Sequence, residues 1–292
     1  MTATYRITHR TTYEYASDVS SSYGRLHLLP RDLDRQRCVS SSLEVDPAPD
    51  DQSELVDFFG NRVAYVAIHE RHRELSVTAT SVVEVDERAG LPLFAQCSWE
   101  EVRDAARGAG DDAVDAMQFV LDSPLVKASE NFAAFAQPSF LPGAPISEAV
   151  VDLASRIHDE FEFEAGETKI DTPLEEVLAG RKGVCQDFAH VAIACLRSLG
   201  LPARYVSGYL ETDPPPGRPK LMGADVSHAW FSVPVPGAGW LDVDPTNDQV
   251  VNERYVVNAY GRDYSDVAPV TGIIYTRGRT KSLDVVVDVT AV

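Results

Sequence analysis

Cysteine is scarce in this chain, which has four cysteines among 292 residues. They lie at positions 38, 97, 185 and 195, too few and too scattered for a disulfide framework. The sequence has no CxxC pair, no His-rich tract and no acidic loop with EF-hand spacing, so it predicts neither a zinc nor a calcium site. We therefore expect no cofactor, and a reducing compartment.

Long apolar runs are also missing. No stretch approaches 18 consecutive apolar residues, so we expect no membrane-spanning helix. The first fifteen residues lack the basic segment and following apolar segment of a signal peptide. The expected location is the cytoplasm, without a membrane partner.

Basic residues are in the minority, with 26 Lys and Arg against 45 Asp and Glu and a formal net charge of −19. Such a surface repels phosphate backbones, so a nucleic-acid partner is not expected. The composition is 44% hydrophobic and 24% charged, which is typical of a globular protein. The length suits one large domain or two ordinary ones.

The beginning of the chain has the period-two alternation of β-strands. One face of the first predicted strand carries Tyr5, Ile7, His9, Thr11, Tyr13 and Tyr15, and later β-branched runs repeat the pattern. These runs predict an antiparallel β module over residues 1–90. The period then changes, which predicts a helical connector over residues 91–145.

Residues 146–292 are predicted to form a core with helices first and strands afterwards. Ile146, Val150, Leu153, Ile157 and Phe161 form one stripe of an amphipathic helix. The last run, SLDVVVDVTAV, alternates as a strand does, and its partner strand stays open at this stage.

The segment RKGVCQDFAHVAIACLRSLGLP places Cys185 in the first turn of an apolar-striped helix that ends before Gly200. Cys195 belongs to the stripe and is predicted to be a core residue. Two interpretations of Cys185 are open. It is either a small buried hydrophobe or a nucleophile whose thiolate is favoured by the helix N-terminus.

A thiolate nucleophile needs a nearby base, and the base needs an acceptor that orients it. His228 lies in the strand-like run SHAWFSV, and Asp242 and Asp244 share one face of the run GWLDVD. Two short antiparallel strands would place an imidazole between the thiol and a carboxylate. Spacing alone does not choose between the two aspartates.

The blocks KGVCQDFAH, LGLPARYVSGYL, GADVSHAWFSV and GWLDVDPTN resemble the core of the transglutaminase-like superfamily. The β module resembles the N-terminal region that accompanies this core in bacterial proteins. The resemblance implies an α+β fold, with a papain-like cysteine-protease/transglutaminase core and an N-terminal antiparallel β module. It also implies that Cys185 is the nucleophile, His228 the general base and Asp244 the orienting carboxylate.

Those roles imply thiol-dependent acyl transfer at amide bonds, with hydrolysis of a peptide or protein amide as the first hypothesis. Transamidation of protein glutamine is the alternative, because the same triad serves both reactions. A non-enzymatic protein-interaction module and a metal site built from Cys185, His228 and the aspartates are further hypotheses.

Gln186, Trp230 and Asp242 are predicted to support the site or line a cleft. Papain-like enzymes commonly use a Gln side chain a few residues before the nucleophile as an oxyanion donor. The segment VLAGRKGVC has no Gln, so another donor or the peptide N–H groups would have to serve.

Overall fold

An antiparallel sheet occupies the N-terminal part of the chain, where the sequence alternates between apolar and polar residues. The structure is a computed structural model that describes residues 2–86, 97–108, 111–212 and 227–292. The first five strands are β1 (Thr2–Leu26), β2 (Gln36–Asp46), β3 (Asp51–Val56), β4 (Arg62–Ile68) and β5 (His72–Asp86). Strand β1 is long and changes neighbour along its length: its first half pairs with β5, and Ser22–Leu26 pairs with β4. The sheet therefore curls around an apolar interior.

The helices that follow are α1 (Trp99–Ala106), α2 (Asp111–Met117), α3 (Glu130–Ala136), α4 (Ile146–Glu160), α5 (Leu174–Gly180) and α6 (Cys185–Ser198). A capping box begins α1, since Glu101 N–H donates to the Ser98 hydroxyl and Ser98 N–H donates to the Glu101 carboxylate. The apolar stripe of α4 is buried as predicted, with Leu153 and Ile157 fully inaccessible. Two short parallel strands, β6 (Glu162–Phe163) and β7 (Lys182–Gly183), lead the chain toward α6.

A second sheet forms the centre of the core. Its strands are β8 (Arg204–Leu210), β9 (Ser227–Val235), β10 (Gly239–Asp244), β11 (Gln249–Val250) and β12 (Tyr255–Gly261), in the order β11-β10-β9-β8-β12. Helix α6 packs on one face of this sheet, where it covers Ala229, Phe231 and Val233. The result is the predicted papain-like α+β core with an antiparallel β module in front of it.

The chain returns to the first sheet at its end. After the short helix α7 (Tyr264–Val267) come β13 (Val270–Thr276) and β14 (Thr280–Ala291), and both strands pair antiparallel with β1. The run SLDVVVDVTAV, whose partner the sequence left open, thus lies beside the N-terminal strand. The domain boundaries at residues 90 and 145 stay a prediction.

The N-terminal module closes the outer edge of the second sheet with two side-chain amides. Strand β12 has β8 on one side, so its other edge would expose backbone polar groups. The Gln36 amide donates to Val257 O at 2.7 Å and accepts from Val257 N at 2.7 Å. Asn61 makes the same pair of bonds with Tyr260 at 2.8 and 3.0 Å. Both amides are buried and take the place of a neighbouring strand.

None of the helices in the described ranges combines the length and hydropathy needed to cross a membrane.

Substitution of Leu153 by Ala is expected to lower the free energy of unfolding by about 2 to 5 kcal/mol, because its side chain is fully buried in α4 and a cavity would remain. Urea unfolding followed by tryptophan fluorescence measures the change. Leu141→Ala is the matched control, since Leu141 is 62% exposed and its loss should stay within about 0.5 kcal/mol. Equal effects of the two substitutions would contradict the packing described.

Candidate active site

Cys185 is the first residue of α6, in the first helical turn where the sequence predicts it, and it is half-buried. The turn before it is held by Asp187, whose carboxylate accepts from Val184 N at 2.9 Å and from the Thr168 hydroxyl at 2.6 Å. Gly183 makes room for this contact, because a Cβ there would lie 2.6 Å from Asp187 Oδ2. Burial raises the pKa of Asp187, in opposition to its two hydrogen bonds. The hydrogen bonds of Asp187 therefore fix the backbone at the start of α6, and with it the orientation of the Cys185 side chain.

The peptide N–H groups at this helix start are not equivalent. Val184 N–H is already bound to Asp187. The N–H groups of Cys185 and Gln186 come too early in α6 to have an acceptor within the helix. The Gln186 side chain is half-buried and makes no hydrogen bond within the described residues. The backbone therefore offers two donors beside the sulfur.

His228 lies between Cys185 and Asp244. Its Nε2 is 2.7 Å from Asp244 Oδ2, and the Cys185 side chain lies close enough to the ring to raise its pKa by hydrogen bonding and by charge. Burial disfavours the charged imidazolium, but the hydrogen bonds and charges of Asp244 and Cys185 outweigh it and raise the pKa of His228 to about 10. An imidazolium is therefore the form expected at neutral pH.

Asp244 is fully buried and saturated with hydrogen bonds. Its Oδ1 accepts from the backbone N–H groups of Thr246 and Asn247 at 2.8 and 3.3 Å. Its Oδ2 accepts from Asn247 Nδ2 at 2.7 Å and from the Tyr255 hydroxyl at 2.6 Å, in addition to His228. Burial favours the neutral acid, but the hydrogen bond and charge of His228 and the bonds from Tyr255 and Asn247 hold the pKa of Asp244 below its ordinary value.

Trp230 lies beneath the histidine, with ring centroids 6.1 Å apart, and its side chain is fully inaccessible. It also meets the Tyr255 ring edge-on at 5.3 Å. Gly208, the strand partner of His228, admits this indole: a Cβ there would lie 2.1 Å from Val256 O and 2.5 Å from the Trp230 ring. Trp230 therefore supports the histidine from below and has no free surface for a cleft.

Of the two aspartates that spacing left open, Asp244 is the one in contact with His228. Asp242 lies two residues earlier on β10 and binds Arg35 of the N-terminal part at 3.3 Å. Its contact thus joins the second sheet to the N-terminal module.

Three residues around the site were missed by the sequence reasoning: Asp187, Asn247 and Tyr255. Asn247 stands in the PTN block, three residues after Asp244, so its position was a usable signal. Asp187 at the third helical position was another. Tyr255 gave none, because its contact depends on how β12 is placed.

Within the described ranges, no group of three or more His, Cys, Asp and Glu side chains is arranged to hold a metal ion.

Two family models match separate parts of the chain. Residues 5–84 match the bacterial transglutaminase-like N-terminal region, and residues 134–245 match the transglutaminase-like superfamily. The chain belongs to the transglutaminase-like superfamily.

Its relatives include an uncharacterized protein of Mycobacterium tuberculosis, 49% identical over 98% of this chain and 92% of the relative. A protein-glutamine gamma-glutamyltransferase of Pseudomonas aeruginosa is 41% identical over 75 residues, which are 25% of this chain and 11% of that protein. The crystal structure of a candidate cysteine protease from Cytophaga hutchinsonii has a TM-score of 0.75, with 22% identity, and covers 100% of this chain and 91% of that one. The TM-score shows that this transglutaminase-like protein and the candidate cysteine protease have the same fold.

We expect Gly208→Ala to destabilise this transglutaminase-like protein by about 1 to 3 kcal/mol, because the added methyl group collides with Val256 and Trp230. Thermal unfolding and near-UV circular dichroism of the tryptophans measure the change. Gly180→Ala is the control, since nothing lies within 4 Å of a Cβ at that position. An unchanged melting temperature in Gly208→Ala would be inconsistent with the close packing under His228.

Proposed function

We propose that the protein is a thiol enzyme that transfers acyl groups from amide bonds through Cys185, His228 and Asp244, and that its normal reaction is hydrolysis of a peptide or protein amide. The observation that supports this most is a single imidazole that is hydrogen-bonded to a buried carboxylate and lies beside a thiol at a helix start. Each group has the partner that its role requires.

Acylation begins with attack of the Cys185 sulfur on the amide carbonyl carbon. An imidazolium at His228 and the N-terminal end of α6 both favour the thiolate form of the nucleophile. The carbonyl oxygen gains negative charge, which the N–H groups of Cys185 and Gln186 are placed to bind. When the C–N bond breaks, His228 gives its proton to the leaving amine, and a thioester remains on Cys185.

Deacylation uses the same groups in reverse. His228 is now neutral and accepts a proton from a water molecule, whose oxygen attacks the thioester carbon. The C–S bond breaks, a carboxylic acid leaves, and the thiolate–imidazolium pair is restored. Asp244 stays ionised throughout, because its hydrogen bonds favour the carboxylate.

Transamidation differs only in the acceptor, since a primary amine then replaces water. The local identity with the gamma-glutamyltransferase of Pseudomonas aeruginosa supports keeping this alternative. The wider fold similarity to the candidate cysteine protease supports hydrolysis. A binding module without activity would have no need of the thiol–imidazole–carboxylate contacts.

The rate of Cys185 alkylation by iodoacetamide is expected to be high at pH 6 and to fall about 100-fold in His228→Ala, because an unpaired thiol is almost entirely protonated at that pH. Mass spectrometry of each cysteine-containing peptide measures the rates. Cys38, Cys97 and Cys195 are internal controls, since burial raises the pKa of all three thiols. Slow labelling of Cys185 in both proteins until above pH 8 would count against an assembled triad.

Incubation with a panel of peptide amides is expected to release the free acid, and Cys185→Ala should lose this activity entirely. The same panel with a labelled primary amine separates the two acceptors, as mass spectrometry distinguishes hydrolysed peptides from amine conjugates. Conjugates as the main product would assign transamidation instead. Full turnover by Cys185→Ala would refute the scheme.

A further inference from the structure

The amide of Gln36 is a direct link between the N-terminal module and the strand behind the triad. Its Nε2 donates to Val257 O at 2.7 Å and to Arg31 O at 2.8 Å, and its Oε1 accepts from Val257 N at 2.7 Å. The side chain is 3% exposed. Buried bonds of this kind are costly to break, because both backbone groups of Val257 would lose their partner. This point of β12 is therefore held from outside its own sheet.

The clamp lies where β12 is irregular. The pairing of β12 with β8 shifts register between Val257 and Ala259, so Asn258 is an extra residue at this point. Asn258 uses its amide to bind His27 O of the N-terminal part. A bulged edge strand has a weaker ladder of its own, so its position depends on these outside contacts.

Tyr255 transmits the position of β12 to the triad. It lies two residues before Val257 on the same face of the strand, and both residues belong to one cluster with Trp230, against which Leu33 of the N-terminal part packs. The Tyr255 hydroxyl donates to Asp244 Oδ2 at 2.6 Å, the oxygen that also binds His228. Gln249 Nε2 lies 2.5 Å from the same hydroxyl and donates to it, which leaves the phenol proton for the carboxylate.

We propose that the N-terminal β module is a positioning element of the triad: Gln36 clamps β12 and thereby holds Tyr255 against Asp244. Tyr255 and Gln36 touch no reacting atom and act through the carboxylate, and the proposal rests on the proposed function of the triad. The module then has a role in catalysis that does not depend on contact with substrate.

The pH profile of Cys185 alkylation is the readout, because a purely structural role would leave it in place. The Tyr255 bond is one of those that hold the pKa of Asp244 down. Without it, Asp244 becomes protonated at a higher pH as the solution is acidified, and His228 loses its counter-ion. In Tyr255→Phe we therefore expect the acidic limb of the profile to move to higher pH by roughly one pH unit. At a fixed pH on that limb, Cys185 would then be alkylated about tenfold more slowly than in the unchanged protein.

Tyr209→Phe is the matched control for Tyr255→Phe. Tyr209 is also buried and lies on the adjacent strand β8, where its hydroxyl is hydrogen-bonded to His9 Nδ1 of the module at 3.0 Å, away from the triad. It should leave the acidic limb unchanged.

Gln36→Met keeps the length of the side chain and removes the clamp, and we expect a shift of the same sign as in Tyr255→Phe. Asn61→Leu removes the equivalent clamp at Tyr260, and we expect it to lower thermal stability without moving the acidic limb. The double variant Gln36→Met with Tyr255→Phe should shift no further than Tyr255→Phe alone, since both changes act through one hydroxyl.

The outcomes separate this proposal from the proposed function. If Cys185 of the unchanged protein is alkylated slowly at pH 6, the proposed function of the triad is wrong, and the positioning role that rests on it falls as well. Fast alkylation with an unmoved acidic limb in Tyr255→Phe would overturn the positioning role. A Gln36→Met shift that adds in full to that of Tyr255→Phe would overturn the route through Tyr255. If Gln36→Met does not fold, Gln36→Glu takes its place, because it keeps the length of the side chain and the acceptor for Val257 N but loses the donor to Val257 O. Melting curves of all variants are the check on folding.

Discussion

The buried carboxylate of Asp244 is the group on which the rest of the site depends. A lone buried charge would be very costly, and this one is compatible with burial only because five donor groups surround it. Those donors come from three places in the chain: the strand of His228, the turn after Asp244, and Tyr255 on β12. Any change that loosens one of these elements leaves the Asp244 charge with fewer hydrogen bonds. The orientation of His228 therefore depends on the packing of the sheet.

Local spacing was sufficient for the residues that lie within one element or in adjacent strands. A cysteine in the first turn of a striped helix and alternating residues on two neighbouring strands are patterns a few residues long, so Cys185, His228 and the pair Asp242 and Asp244 could all be proposed. The choice of Asp244 came from the family resemblance, and the geometry agrees with it because Asp242 turns to Arg35. The papain-like core and the β module were likewise within reach of pattern and resemblance together.

Contacts between distant segments were out of reach for the same physical reason. Gln36 and Val257 are 221 residues apart, and no periodicity relates a polar residue at the start of one strand to a bulge in another. The pairing of β14 with β1 is of this kind as well, since alternation predicts a strand and leaves its neighbour open. The sequence identifies Gly208 only as a glycine within a strand. The structure shows why glycine is required there: the Trp230 indole packs against its Cα, a contact that depends on the arrangement of three strands.

The path of the chain explains why the module and the core act together. Strand β1 precedes the core in the sequence and pairs with β14, which follows the core, so the polypeptide leaves the first sheet, builds the core and returns. The module is therefore completed only after the strands that carry His228, Asp244 and Tyr255 have been made. Gln36, Asn61 and Arg35 bind β12 and β10 from that sheet, so direct contacts couple the module to the strands of the site. A module joined to the core only by a flexible linker would lack this coupling, because nothing would hold its side-chain amides in place beside the edge of β12.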